Sequence, residues 1–348
     1  MVQGALIDPN LQDFIAKYGG DMLYFDQAWL DLITSLYGYE LIQLTTKKSN
    51  GQITGFLPLC YLQSAITGRR LVSLPFADYC PLLAEDEASA NALLEQAKQL
   101  AQAKRVHYLE LRAGKNEVLS KRDDFSAGNL YSRYLIPLDS DPDLVWAHFH
   151  KSVRGKIRKA QRLGLQVRVV QCREEMLDYY HLHLLTRSKK HGMPSQPLQF
   201  FLRLWDIFAP RNMLRVELAE YEGKVVAGSI MGTYNKTAQF LYGASDERFR
   251  HLAANNLLTW ESIRWCCQQG YKTLDQGRTS YHNPGLMTFK LNWGAIEEAL
   301  PYYYYPAPRG LVSTDEQSLK YRVLTRCWRM LPLQISGPLG GFIYRHLG

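Results

Sequence analysis

A chain of 348 residues, 46% hydrophobic and 21% charged, is long enough for two domains and apolar enough to bury a core, which excludes a largely disordered chain. Its 41 Lys and Arg against 33 Asp and Glu leave a net charge of +8, which favours an anionic partner: nucleic acid, a phosphorylated substrate or an acidic membrane surface. The six cysteines form no C-x-x-C pair, so zinc spacing is missing and they read as reduced core residues of a cytosolic protein; no apolar run of about 18 residues marks a membrane span, and Met1 to Asp8 show no leader pattern.

The first half reads as a small α/β unit. Residues 26–36 have helical spacing, with Trp29, Leu30, Leu32 and Ile33 apolar. Residues 41–45 and 53–61 are strands joined by Ser49-Asn50-Gly51-Gln52, which is hairpin chemistry. A short strand at 71–74 stops at Pro75, a helix rich in Ala, Leu and Gln covers 88–103, and 106–111 alternates as a strand. Residues 114–129 are charged and turn-rich and read as a loop, and a strand at 131–137 precedes a break at 139–142.

The second half is larger. One helix is expected over 144–163, stopped by Gly164, then a strand at 165–170 and helices at 174–190 and 197–208. Strands at 214–221, 225–233 and 238–243 follow, with Glu222-Gly223 turning the first pair. A long helix at 254–269 ends at Gly270, and Thr273 to Asp275 begins another strand. This order implies an α/β fold with mixed sheets rather than a doubly wound dinucleotide fold. The expected division is 1–138, 139–318 and a basic-apolar tail at 319–348, where Arg326, Arg329 and Arg345 stand among Trp328, Leu331, Leu333, Ile335, Leu339, Phe342 and Ile343. Pro332 and Pro338 interrupt that tail, which either lies on an anionic membrane or packs on its own domain.

Three constellations could carry chemistry. The run Lys151 to Arg162 has no acid, and Lys151, Arg154, Arg158 and Arg162 share one helical stripe; it suits a phosphate-rich partner or is a solvated face. The stretch Tyr242 to Asn256 joins a strand to a helix N-terminus, where backbone amides can meet a pyrophosphate. Acyl-CoA loops of the form Arg/Gln-x-x-Gly-x-Gly/Ala use glycine for that approach; Arg250-His-Leu-Ala253-Ala-Asn255 has none, and Asn255 could equally be an ordinary cap. The third is Asp275-Gln276-Gly277-Arg278 at a strand end, followed by Phe289-Lys290. A lysine among aromatics can stabilise developing negative charge; the alternative is a structural Asp275–Arg278 or Asp275–Lys290 ion pair. No Gly-x-Ser-x-Gly elbow, His-Glu-x-x-His pair, Walker A loop or helix-turn-helix signature is present, and His181 and His183 point to different helix faces.

An ordered series of strings resembles the FemAB-like branch of the GNAT superfamily: Arg154-Gly-Lys-Ile-Arg158-Lys159-Ala160, His191-Gly-Met-Pro194, Pro197-x-x-Phe200-Phe201, Val226-Ala-Gly228, Asn255-Asn-Leu-Leu-x-Trp260, Asp275-x-Gly277-Arg278 and Phe289-Lys290-x-x-Trp293-Gly294. In the first half, Leu57-Pro-Leu59 and Leu74-Pro75-Phe76-x-Asp78-Tyr79 also resemble that group. The resemblance implies two tandem GNAT-like domains and an N-acyltransferase. Its best-known members move an amino acid from aminoacyl-tRNA to an amine of a lipid-linked peptidoglycan precursor, and others accompany exopolysaccharide systems. By position it implies that Phe289-Lys290 receives the acyl-donor end, that Asp275 and Arg278 adjoin it, and that Asp78 faces the acceptor. Unlike those members, this sequence has no sustained heptad run for a coiled-coil arm.

The resulting expectation is amide formation between an activated donor, aminoacyl-tRNA or acyl-CoA, and an amine on a lipid- or sugar-linked precursor, with no permanently bound cofactor and no metal. Lys290 would act electrostatically, Arg278 would anchor a phosphate or carboxylate, and Tyr242 and Asp275 would orient the reactants. Arg250, Asn255, Arg154, Arg158, Phe289 and Asp78 complete the candidate binding set. The rival readings are an acetyl-CoA-dependent acetyltransferase and a non-catalytic binding module. The expected location is the cytoplasm, at the inner face of the membrane if the tail binds lipid.

Overall fold

The computed structural model describes residues 9–307 and 319–348. The N-terminal residues Met1 to Asp8 and the expected boundary at 318 lie outside the described residues. In chain order the elements begin with α1 (Pro9–Tyr18), α2 (Gln27–Tyr37), β1 (Glu40–Lys47), β2 (Ile53–Ser64), β3 (Gly68–Val72), β4 (Leu83–Ala84) and α3 (Glu87–Ala103). Next come β5 (Tyr108–Leu111), α4 (Glu117–Ser120), β6 (Ser126–Gly128), β7 (Tyr131–Pro137), α5 (Pro142–Ala147), α6 (Lys151–Arg162) and β8 (Gln166–Val169). There follow α7 (Met176–Leu184), α8 (Leu198–Phe208), β9 (Leu214–Tyr221), β10 (Lys224–Tyr234), β11 (Thr237–Ser245), α9 (Ala254–Gln268) and β12 (Thr273–Ser280). The chain ends with α10 (Pro284–Leu291), β13 (Ile296–Ala299), β14 (Tyr302–Tyr305), α11 (Leu319–Met330) and α12 (Leu333–Tyr344).

Two compact units result. The first comprises residues 9–132, 299–307 and 346–348; the second comprises 133–298 and 319–345. The first holds a sheet in the order β1-β2-β3-β5-β14-β6, with β4 on β2, and the second unit's sheet runs β13-β7-β12-β11-β10-β9-β8. Each sheet is mixed: β3 pairs β5 in parallel, and β11 pairs β12 in parallel, while the hairpins are antiparallel. This is the α/β class with mixed sheets that the element order implies.

Local chemistry explains most boundaries. Asp26 caps α2 by accepting from the Ala28 N–H, and Gly38 ends that helix at φ 74°. Asp86 caps α3, whose Ala90, Leu93, Leu94, Ala97 and Ala101 are buried and packed on Leu57, Leu71 and Leu109 of the sheet. In the second unit, Val153, Ile157 and Ala160 of α6 join Leu257, Ile263 and Cys266 of α9 in one core with Val226 and Leu274 of the sheet.

Two expectations are corrected. The single helix over 144–163 is two, because His150 caps a fresh start at α6 and Phe149 between them turns inward, its ring 4.9 Å from Trp293 and 5.7 Å from Trp260. The loop at 114–129 contains α4 and β6; β6 exists because the distant tyrosine strand β14 pairs with it. The strand expected to begin at Thr273 does so and runs to Ser280. In the tail, Pro332 separates α11 from α12, whereas Pro338 is accommodated inside α12.

Candidate functional site

α10 is a short helix whose one buried side chain is its lysine. Its neighbours Leu286 and Leu291 are exposed while Lys290 is 6% exposed. Burying an ammonium is costly unless it is paired, so Lys290 needs polar partners, while half-buried Phe289 gives the helix its apolar contact with the core. The Lys290 ammonium donates to the carbonyls of Gly277 at 2.9 Å and Arg278 at 3.1 Å, and lies 5.3 Å from the centre of the Tyr134 ring. Gly277 has φ 70°, a conformation glycine adopts without a Cβ penalty, at the turn of the strand where the first of these carbonyls lies.

β12 supplies the other half of the site. Asp275, 7% exposed, accepts from the Gly277 N–H at 2.8 Å and pairs with the Arg133 guanidinium at 3.0 Å. No motif marks Arg133, which stands on β7 and is brought beside Asp275 only by sheet order. β11 and β12 share a register from Thr237↔Thr273 to Gln239↔Asp275, and both strands run on past it, to Ser245 and Ser280. Along this junction Gln239 Oε1, Gln276 Oε1 and Thr279 Oγ1 are buried without a hydrogen-bond partner. Buried polar atoms are nearly always satisfied, so these three have unused capacity for a polar partner. None of the three is evident from the sequence, because their isolation is a property of the packing.

Tyr242 stands farther along β11, after a bulge opposite Ile230 and Met231. Its ring packs at 5.5 Å on Phe201, 5.6 Å on Phe200 and 6.4 Å on His183. His183 is buried, and that burial, reinforced by Arg187, lowers its imidazole to about 3. His181 is exposed, in keeping with opposite helix faces.

The start of α9 differs from the ordinary cap. The capping position is Ala253, at φ 59° and ψ 33°, and no side chain caps the helix; Asn255 lies within the first turn and reaches Ser245 Oγ at 3.4 Å. Ala253 therefore takes the left-handed backbone that a glycine would take in a phosphate-binding loop, at a cost of roughly 1–2 kcal/mol. Arg250, in the turn Glu247–Leu252, is exposed.

The remaining candidates stand elsewhere. Arg154, half-buried, and Arg158, exposed, lie on α6 beside its apolar stripe, with Arg158 5.8 Å from the Trp146 ring centre. Phe289 packs on Trp293 at 6.1 Å. Asp78 belongs to the first unit, in a loop fixed by a buried pair: Arg112 binds Glu110 at 2.7 Å and donates to the carbonyls of Leu74 at 3.0 Å and Ala77 at 2.8 Å. The Asp78 carbonyl accepts from Tyr302 at 2.6 Å.

Cys60, Cys80, Cys266 and Cys267 are buried, Cys172 and Cys327 exposed, and all six are free. Burial pushes the Cys60 thiol up to about 12 and those of Cys80 and Cys266 higher, so these three are packing residues rather than nucleophiles. Among the described residues no group of three or more His, Cys, Asp or Glu could hold a metal, and no helix is long and apolar enough to cross a membrane.

A family model described as an acetyltransferase (GNAT) domain matches residues 147–290. A UDP-N-acetylmuramoylpentapeptide-lysine N(6)-alanyltransferase of Weissella viridescens is 23% identical over 129 residues, which span 37% of this chain and 38% of that protein. The match thus takes in well under two thirds of that relative. A crystal structure of FemX superposes over 86% of this chain and 96% of its own with a TM-score of 0.66 at 16% identity. L-PGS from Bacillus licheniformis superposes over 93% of this chain and 98% of its own with a TM-score of 0.56 at 15% identity. The two solved structures share the fold.

Proposed function

We propose that this chain, which belongs to the FemAB-like branch of the GNAT superfamily, is an N-acyltransferase that forms an amide between an activated acyl or aminoacyl donor and an amine on a cell-envelope or polysaccharide precursor. The observation that carries the reading is the insertion of Lys290, alone among α10's side chains, against the Gly277 and Arg278 carbonyls where β12 runs past its register with β11. A neutral amine attacking an acyl carbon places negative charge on the carbonyl oxygen, and a fixed ammonium in a buried setting stabilises it without reorganisation. Lys290 has that role. Asp275, held by Arg133, and Tyr242 orient the reactants, and Arg278 binds a phosphate or carboxylate of the donor. The second unit is the catalytic one.

The donor has two readings. The curated relative, an alanyltransferase, supports an aminoacyl donor. The left-handed Ala253 and the α9 start without a side-chain cap support acyl-CoA, since they supply the backbone of a phosphate cradle without its glycine. The longest helix among the described residues is α3, Glu87–Ala103, and no two-helix arm accompanies it. Thermal stability during titration with acetyl-CoA and with aminoacyl-tRNA separates the two, because a ligand bound only by the folded state raises the melting temperature. A shift with one donor alone assigns it. No shift with either donor and no transfer by the parent chain overturns the enzymatic reading, whereas full transfer by Lys290→Ala overturns the role given to Lys290.

A further inference from the structure

The last helix of the second unit packs the wrong way round for a water-soluble surface, and the helix before it leaves apolar side chains exposed. A surface helix normally buries its large apolar residues and exposes polar ones. In α12 the buried residues are Ser336, Gly337 and Gly340. They permit close approach: a Cβ on Gly340 would meet the Ser195 backbone nitrogen at 2.8 Å, and one on Gly341 would meet Pro197 Cβ at 2.8 Å. The opposite face carries Ile335, Leu339 and Phe342, which stand one above another at helical spacing and are 52%, 39% and 60% exposed. α11 also exposes apolar residues, although it turns a large one inward. Its Trp328 turns inward, with the indole N–H 3.4 Å from Ser188 Oγ, while Val323, Leu324 and Met330 are exposed, Met330 at 76%.

The pair is not a loose tail. Lys189 donates to the Arg329 carbonyl at 3.0 Å and the Leu331 carbonyl at 2.7 Å, which fastens the end of α11. Six of the fifteen large apolar side chains exposed among the described residues therefore lie on two anchored helices, so their exposure is built in rather than a result of fraying. The charge around them has one sign. Between Leu319 and Gly348 the sequence has Lys320, Arg322, Arg326, Arg329 and Arg345 and no Asp or Glu. Two copies of such a face would repel each other, whereas an anionic lipid surface meets both the cations and the apolar row.

We propose that α11 and α12 form a docking surface for an anionic membrane, with Ile335, Leu339, Phe342, Leu324 and Met330 entering the interface and Arg326 and Arg329 meeting lipid phosphates. This goes beyond the acyl-transfer reading and does not depend on it, since none of these residues belongs to the Lys290 site.

Flotation of the full chain with phosphatidylcholine vesicles, with and without phosphatidylglycerol, tests it. The chain floats with the anionic vesicles and not with phosphatidylcholine alone, and added salt releases it. Replacing both Leu339→Glu and Phe342→Glu weakens vesicle binding by at least about tenfold, and so does the pair Arg326→Glu and Arg329→Glu. All four side chains are exposed, and unchanged melting curves show that each variant is folded. The proposal is overturned if the parent chain fails to float with anionic vesicles, if both kinds of vesicle bind it equally, or if the variants float like the parent. A dimer in sedimentation that Leu339→Glu dissolves, without flotation, would assign the face to a second copy instead.

Discussion

Both units contain one parallel strand pair with a three-position register, and they treat the space beyond it in opposite ways. In the first, β3 and β5 pair from Arg70↔Tyr108 to Val72↔Glu110, and the chain then closes over the junction. The Ser73 N–H donates to the Glu110 carbonyl, Cys80 N–H to the Arg112 carbonyl, and the Arg112 guanidinium to two carbonyls of the intervening loop. In the second, β11 and β12 run on past their register, three buried polar atoms stay orphaned, and a lysine enters from α10. The same backbone device is sealed by its own arginine in one unit and leaves buried polar atoms unpartnered in the other. What distinguishes a structural from a functional copy of a motif is who satisfies the polar groups at its opening.

The largest expected effect comes from breaking the seal. Arg112→Ala leaves Glu110, 7% exposed, without its partner and the Leu74 and Ala77 carbonyls without their donor. The expected cost is about 3–5 kcal/mol of stability, read as the shift in urea midpoint of the first unit's transition. A loss under about 1 kcal/mol would mean that the loop does not depend on this pair.

The converse experiment acts on the open copy. Lys290→Ala should reduce amide formation by about 10²–10³-fold in kcat, measured with whichever donor shifts the melting temperature. Lys290→Arg should not restore it, because a planar guanidinium cannot take the place of an ammonium between the Gly277 and Arg278 carbonyls.

A smaller effect follows from His183, buried beside Phe201 and Tyr242 in the second unit. Its folded-state value is about 3, below the ordinary 6.5, so the unfolded chain takes up the proton first as the pH falls. The contribution is complete above about pH 6.5 and is lost on acidification towards the folded value. At about 1.4 kcal/mol per pH unit it amounts to about 2 kcal/mol by pH 5. Chemical denaturation at pH 7.5 and pH 5 should reveal this difference in the parent chain and a reduced one in His183→Gln.

The smallest concerns the start of α9. Ala253→Gly relieves a left-handed alanine and should raise stability by about 1 kcal/mol, seen as a higher melting temperature. If acetyl-CoA is the donor, its binding should survive this change, because the backbone geometry is already that of glycine.

How much of this was legible depends on the range of the interactions. The hairpin of β1 and β2, the α3 and α9 helices and the β9–β10 turn follow from local periodicity, caps and turn residues, and were readable. The Phe-Lys and Asp-x-Gly-Arg strings pointed to the strand end where Lys290 sits. Unreadable were the partners: Arg133 for Asp275, Glu110 with Arg112 beneath the Asp78 loop, and β14 for β6, each pair joined by sheet order rather than by spacing. The break at Phe149 was equally hidden, since the force that makes it is the burial of one ring between two distant tryptophans.

The sequence by itself determined the class of fold, the basic charge, the helix and strand periods, and the residue types able to stabilise an acyl-transfer intermediate, because these follow from composition and from neighbours within a few positions. The tertiary structure alone decided which of those residues are buried, which carbonyls hold the Lys290 ammonium, that Ala253 takes a glycine's conformation, and that α12 turns its glycines inward and its phenylalanine out. Those outcomes depend on the competition for buried space between segments far apart in the chain, and no local pattern records who wins it.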